Sequence, residues 1–188
     1  MGKTLKNLSF HDITKPPSYH KTLFSFRHID GVSSSTSASG LTIDMSGGRK
    51  HFTVEDYISR VLLERPTYVI ALADEAPFHA GYKRYAKASE RSLKWLQQLL
   101  FKTKDLPSQV YGVVNGGMRE EAMAELARKM IAAGVSGLVV GGCGSGESPE
   151  ERSRAIRALR GVLDTHGGNK YLIVQCMNSL PEVPHTIQ

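Results

Sequence analysis

Cysteine is scarce in this chain. Its 188 residues include two, Cys143 and Cys176, too few for a disulfide scaffold. Both follow short apolar runs and read as reduced thiols of a cytosolic protein. Cys143 reads as a small buried thiol, with a reactive nucleophile as the alternative. Long apolar runs are missing too. The longest, such as Tyr68-Val69-Ile70-Ala71-Leu72-Ala73, fall far short of the roughly 20 residues of a spanning helix. No signal-peptide stretch opens the chain. The seven histidines make no metal-ligand spacing with the cysteines, so no zinc site is expected among these residues. No Ser-His-Asp arrangement can be argued either.

Hydrophobic residues make up 40% of the chain, enough to bury a core in one domain. Lys and Arg number 24 against 18 Asp and Glu. That balance permits a polyanionic partner without requiring one. Arg84, Lys87, Arg91 and Lys94 fall at i, i+3, i+7 and i+10, on one helix face. The plain reading is a solvated face, partly balanced by Glu90.

Residues 1–40 differ from the rest and read as an irregular arm. Pro16-Pro17 breaks structure, and Ser33 to Gly40 is a low-complexity loop. Between them, Thr22-Leu23-Phe24-Ser25-Phe26 reads as an isolated strand. From residue 41 to 188 the pattern tightens into a single folded portion, opening on a short strand at Leu41-Thr42-Ile43.

Four apolar runs alternate with helical patterns, and each ends in residues fit for a site. Tyr68–Ala73 runs into Asp74-Glu75. Val110–Val114 runs into Asn115-Gly116-Gly117. Gly137–Val140 runs into Gly141-Gly142-Cys143, and Tyr171–Val174 into Gln175-Cys176. One helix is expected from Thr53 to Glu64, with Thr53 as N-cap and Asp56 at its third position. A second runs from Gly81 to Phe101 with Tyr85, Ser89, Leu93, Leu96 and Leu100 inward. A third spans Met118 to Ala133 and closes on Gly134. A fourth opens with a capping box at Ser148-Pro149-Glu150-Glu151. Its Ile156, Leu159 and Leu163 face inward, and Arg152, Arg154, Arg157 and Arg160 lie mostly elsewhere.

Such alternation builds a parallel α/β sheet with ligands at the C-terminal strand ends. The sheet is either doubly wound or part of a (β/α)8 TIM barrel. A whole barrel takes about 200 residues or more, so a barrel here is partial or truncated.

The Gly141–Gly146 loop matches neither G-x-G-x-x-G nor the P-loop pattern. Glu147, Glu150 and Glu151 would repel an anion there. A neutral ligand on its backbone amides and a plain tight turn both remain open. Asp74 can accept from a planar N–H pair such as that of guanine, or it faces water. Asn115 can donate and accept through one amide, and Gly116-Gly117 would admit a flat ligand close to the backbone.

Taken together and in order, these segments resemble the tRNA-guanine transglycosylase family. Ser46-Gly47-Gly48-Arg49-Lys50-His51-Phe52-Thr53 resembles its "DGSKHFLSPE" segment, and Ala73-Asp74-Glu75-Ala76-Pro77 its "DECTP" motif. YKRYAKASERSLKW, from Tyr82 to Trp95, is similar to the helix ending in "ERTLRW". Tyr111 to Gly117 resembles "FGIVQGG", and Val140 to Glu147 resembles "IGGLSVGE". The resemblance implies a TIM-barrel family that exchanges guanine at the tRNA wobble position for queuine or a precursor. It implies base recognition by Asp74, by Asn115 where the family has glutamine, by Gly116 and Gly117, and by Gly141-Gly142.

No segment of residues 1–45 matches the family's "DSGGFQ" motif with its catalytic aspartate. The family's nucleophilic aspartate and zinc site lie beyond Gln188. No catalytic residue and no cofactor is therefore expected in the chain. The departures are similar to the non-catalytic accessory subunit that eukaryotic members pair with a catalytic one. The alternatives are a truncated catalytic-type chain and a queuine- or guanine-binding module. The implied partners are a catalytic transglycosylase subunit or a second copy of the chain, with tRNA and the base, in the cytoplasm.

Overall fold

The computed structural model describes residues 9, 20–26, 35–45, 48–144 and 146–174. Pro16-Pro17, Ser46, Gly47, Gln175 and Cys176 lie outside the described residues.

Five parallel strands form the main sheet: β1 (Leu23–Phe24), β5 (Tyr68–Ile70), β6 (Gln109–Asn115), β7 (Gly137–Gly141) and β8 (Tyr171–Val174), in that spatial order. It curls as part of a (β/α) barrel. A smaller antiparallel sheet holds β2 (Ser35–Thr36), β3 (Gly40–Met45) and β4 (Gly48–Thr53). The helices are α1 (Val54–Glu64), α2 (Tyr82–Lys102), α3 (Glu120–Ala132) and α4 (Pro149–Val162). A single π turn, Leu163–Gly167, extends α4.

Local chemistry sets the helix starts. Thr53 accepts from the Asp56 amide, and the Asp56 carboxylate accepts from the Thr53 amide, closing the box that starts α1. Ser148 and Glu151 do the same for α4, with Pro149 in the first turn. Each box satisfies two amides that a helix start leaves without backbone partners. Gly134, at φ +99°, ends α3 in the left-handed conformation that glycine adopts freely.

The sheet packs on both faces. Alternate residues of β6 divide between them: Val110 and Val114 meet the helices, whereas Tyr111 and Val113 join Ile70, Ala73 and Val139 on the other face. Leu23 and Phe24 are not an isolated strand. They pair with Tyr68 and Val69, and Thr22 and Thr67 exchange amide-to-hydroxyl hydrogen bonds of 3.2–3.3 Å. Phe26 stacks edge-on against Phe52 and Tyr57, with centroids 4.5 and 5.6 Å away. These rings tie β1, β4 and α1 together.

Helix α2 is rotated from the expected stripe. Tyr85, Ala88, Ser92, Trp95, Leu96 and Leu99 are its buried residues, while Ser89, Leu93 and Leu100 are half-buried. The small sheet covers Trp95, whose indole N–H donates to the Ala38 carbonyl at 3.3 Å. Ser89 and Leu93 instead border a hollow between α2 and α3 of about 560 Å³.

Candidate functional site at the strand ends

The C-terminal ends of β5, β6 and β7 meet at one rim. The Gly116 amide donates to the Gly141 carbonyl at 2.9 Å. The Asn115 side chain crosses to the segment after β5. Its amide nitrogen donates to the Asp74 carbonyl at 3.2 Å, and its Oδ1 accepts from the Ala76 amide at 3.0 Å. One short side chain thus satisfies two buried backbone groups of the neighbouring strand end.

Asp74 is fully buried. Its carboxylate turns toward α2, where Arg84 Nη2 donates to Oδ1 at 2.5 Å and Arg91 Nη1 to Oδ2 at 3.0 Å. Its own amide donates to Ser92 Oγ at 2.9 Å. Two guanidiniums, each about one-third exposed, on one buried carboxylate meet the rule that buried charges are paired. They correct the reading of Arg84 and Arg91 as a purely solvated face. The i, i+7 spacing carried that signal, because it sets both arginines on one flank two turns apart.

The half-buried Glu75 points the other way. Its Oε2 accepts from the Gly142 amide at 2.7 Å. Gly142 stands at φ +74°, and a Cβ there would meet the Ala76 carbonyl at 2.6 Å. Only glycine suits both constraints. A Cβ on Gly141 would meet Val113 at 2.5 Å and the Glu75 carboxylate at 3.1 Å. Beside Gly117 the space is taken by the Phe78 carbonyl and the Tyr85 hydroxyl, 1.9 and 2.0 Å from where a Cβ would stand. Gly116 packs on Phe78, Val140 and Ala155.

Tyr85 donates to the Pro77 and Phe78 carbonyls, 2.8 and 2.6 Å away. Burial pushes its phenol up to about 12. The glycine loop is locked by Glu147, whose two oxygens accept from the Gly144 amide at 2.8 and 2.9 Å. Arg152 donates to Glu147 Oε1 through Nε at 3.0 Å and Nη2 at 2.7 Å. Arg152 is therefore buried, unlike the outward position expected for it. Sequence reasoning read Glu147 only as repelling an anion and missed this pairing, whose signal is an acid and a base five residues apart. Cys143 is buried, with its Sγ 4.0 Å from the Gly141 carbonyl oxygen.

The strand ends therefore bring Asp74, Asn115, Gly116, Gly117, Gly141 and Gly142 together. In this structure the Asp74 carboxylate, the Asn115 amide and the Gly142 N–H all bond within the chain. Among the described residues no three His, Cys, Asp or Glu side chains are grouped to hold a metal ion, and no helix is long and apolar enough to cross a membrane.

Parallel strands wrapped by helices, with polar groups gathered at their C-terminal ends, define a portion of a (β/α) barrel, the class of fold that places its sites at that end. The family model for queuine tRNA-ribosyltransferase matches residues 18–170, most of the chain. The chain belongs to this family. It is 29% identical over 94 residues to a queuine tRNA-ribosyltransferase of Chromohalobacter salexigens, covering 50% of this chain and 25% of that protein. It is 30% identical over 92 residues to one of Pseudomonas aeruginosa, covering 48% and 25%. Identity to the Dechloromonas aromatica protein is 25% over 122 residues, covering 63% and 33%. The chain thus spans between a quarter and a third of the length of these relatives.

Proposed function

We propose that this chain is a non-catalytic accessory subunit that supports a catalytic transglycosylase in exchanging guanine for queuine at the tRNA wobble position, in the cytoplasm. The observation that carries this reading is the internal pairing at the rim. An open base site would present Asp74, Asn115 and the Gly142 amide to the ligand, with Gly116, Gly117 and Gly141 giving close approach. Here Arg84 and Arg91 hold Asp74, the 74–76 backbone holds Asn115, and Glu75 holds Gly142. A base would have to displace several charge-assisted or buried hydrogen bonds, each about twice as strong as a neutral one when an ion takes part.

Base exchange also needs a carboxylate free to attack the ribose carbon and carry a covalent intermediate. The three carboxylates of the rim and its loop, Asp74, Glu75 and Glu147, all accept from nitrogen donors. The test is incorporation of labelled guanine into tRNA. The chain alone is expected to give none, and to raise the rate when mixed with a catalytic subunit. Exchange by the chain alone would refute the reading.

A second reading is a guanine- or queuine-binding module, or a truncated catalytic-type chain. What favours it is that the six candidate base contacts stand together at one rim. Calorimetry with guanine decides: binding lost in Asp74→Asn supports it, and no binding supports the accessory reading.

A further inference from the structure

One flank of α2 carries more positive charge than the rim uses. Lys83, Arg84, Lys87, Arg91 and Lys94 fall within an arc of roughly 100° at 3.6 residues per turn. Against these five cations stand two carboxylates, the buried Asp74 and the exposed Glu90. Lys83, Lys87 and Lys94 are exposed, and Arg84 and Arg91 are about one-third exposed. Arg84 Nη1 is buried and has no hydrogen-bond partner, so the exposed part of this side chain lies elsewhere on the guanidinium and its stem. Among the described residues, α1, α3 and α4 carry two acids each in their first turns, and α2 carries none. The helix dipole therefore adds to the positive field instead of being offset.

Hydroxyls border this flank. The turn between β2 and β3 lies on α2, held by Trp95 on the Ala38 carbonyl and by Arg84 Nη2 near Thr36 Oγ1 at 3.5 Å. Ser37 and Ser39, both exposed, bond to each other at 3.0 Å, and His51 Nε2 lies 3.4 Å from the Ser39 hydroxyl. Arginine, lysine and serine or threonine hydroxyls are the side chains that contact phosphate oxygens in nucleic-acid complexes. From Arg84 to Lys94 the helix rises about 15 Å, the axial reach of several successive phosphates.

We propose that this flank of α2, with the hydroxyls of the β2–β3 turn, is a phosphate-binding surface that holds the ribose-phosphate backbone of RNA. The choice of RNA rests on family membership. The surface needs neither base binding at the rim nor the accessory role. Arg84 and Arg91 keep Asp74 paired and turn their exposed edges to the phosphates. The lysines add charge along the strand without fixed geometry.

The experiment is fluorescence anisotropy of labelled tRNA with the full chain across a salt series. Three excess charges predict a log–log slope of about −2 at roughly 0.7 per single-strand phosphate. The double variant Lys87→Glu/Lys94→Glu is expected to bind at least tenfold more weakly, with a shallower slope and unchanged circular dichroism. Arg128→Glu/Arg157→Glu makes the same net charge change at exposed sites on α3 and α4 and is expected to leave binding within threefold. Three results would overturn the proposal. In one, the control pair weakens binding equally, which means attraction to net charge only. In another, the α2 pair keeps tRNA affinity but loses a catalytic transglycosylase subunit, which makes the flank a protein contact. The third is no tRNA binding by the unaltered chain at low salt. If the flank binds RNA while labelled guanine is exchanged by the chain alone, the accessory role fails and this surface stands.

Discussion

Asn115→Ala tests whether the rim is held by its own side chains. Asn115 has 2% exposure and supplies an acceptor to the Ala76 amide and a donor to the Asp74 carbonyl. Both Ala76 and Asp74 are fully buried. Truncation leaves two buried backbone groups without partners, each costing about 1–3 kcal/mol. A water entering the vacated space recovers part of that, so the expected loss is about 3 kcal/mol. For a chain of this size 1 kcal/mol moves the melting temperature by about 2–4 °C, which gives a fall of about 6–12 °C by calorimetry, without ligand. Asn115→Gln is expected to cost about 1–2 kcal/mol. Asn115 is buried at both ends of its side-chain bonds, so a longer side chain must displace its neighbours. A fall below about 2 °C in the alanine variant would refute the reasoning, and would return the amide to the base-contact role its motif implies.

Further outcomes follow from the caps and close approaches. Thr53→Ala should cost about 1 kcal/mol in urea unfolding. The Thr53 amide and hydroxyl hold Asp56 below its ordinary value of 3.8. Its contribution is therefore present above that value and lost as pH falls through the lowered one, and Asp56→Asn should remove this acid slope. Gly117→Ala puts a methyl 1.9 Å from the Phe78 carbonyl and should cost about 3 kcal/mol or more by thermal unfolding. Gly81→Ala meets nothing within 4 Å and should stay within about 1 kcal/mol. Tyr85→Phe should cost about 1 kcal/mol at neutral pH. The raised Tyr85 phenol makes the folded state hold its proton longer than the unfolded one. Stability should thus drop as pH climbs from 10 toward 12, less steeply in the variant.

What was legible in the sequence was local. Thr53 with Asp56, and Ser148 with Glu151, sit three residues apart, and their bonding follows from that spacing alone. The strand ends were legible because apolar runs stop at Asp74, Asn115 and Gly141. The polar partners were not, because they come from distant elements. Ten residues of chain separate Arg84 from the carboxylate it holds, and 67 separate Glu75 from Gly142. The inner stripe of α2 was misplaced for a related reason. Periodicity gives a helix a face but not its neighbours, and Trp95 is covered by the turn between β2 and β3. Phe24 found a strand partner at Val69, whose closeness no local pattern encodes.

Apart from the Gly116–Gly141 backbone pair, the ties described across the rim run through side chains. A sheet ladder survives almost any substitution, whereas each of these ties depends on the identity of one residue. Asn115, Glu75 and Arg84 are each a codon change away from release. A lineage can therefore loosen or tighten this mouth in single steps while the barrel strands beneath it stay unaltered. The history of such a site is written in the side chains that close it.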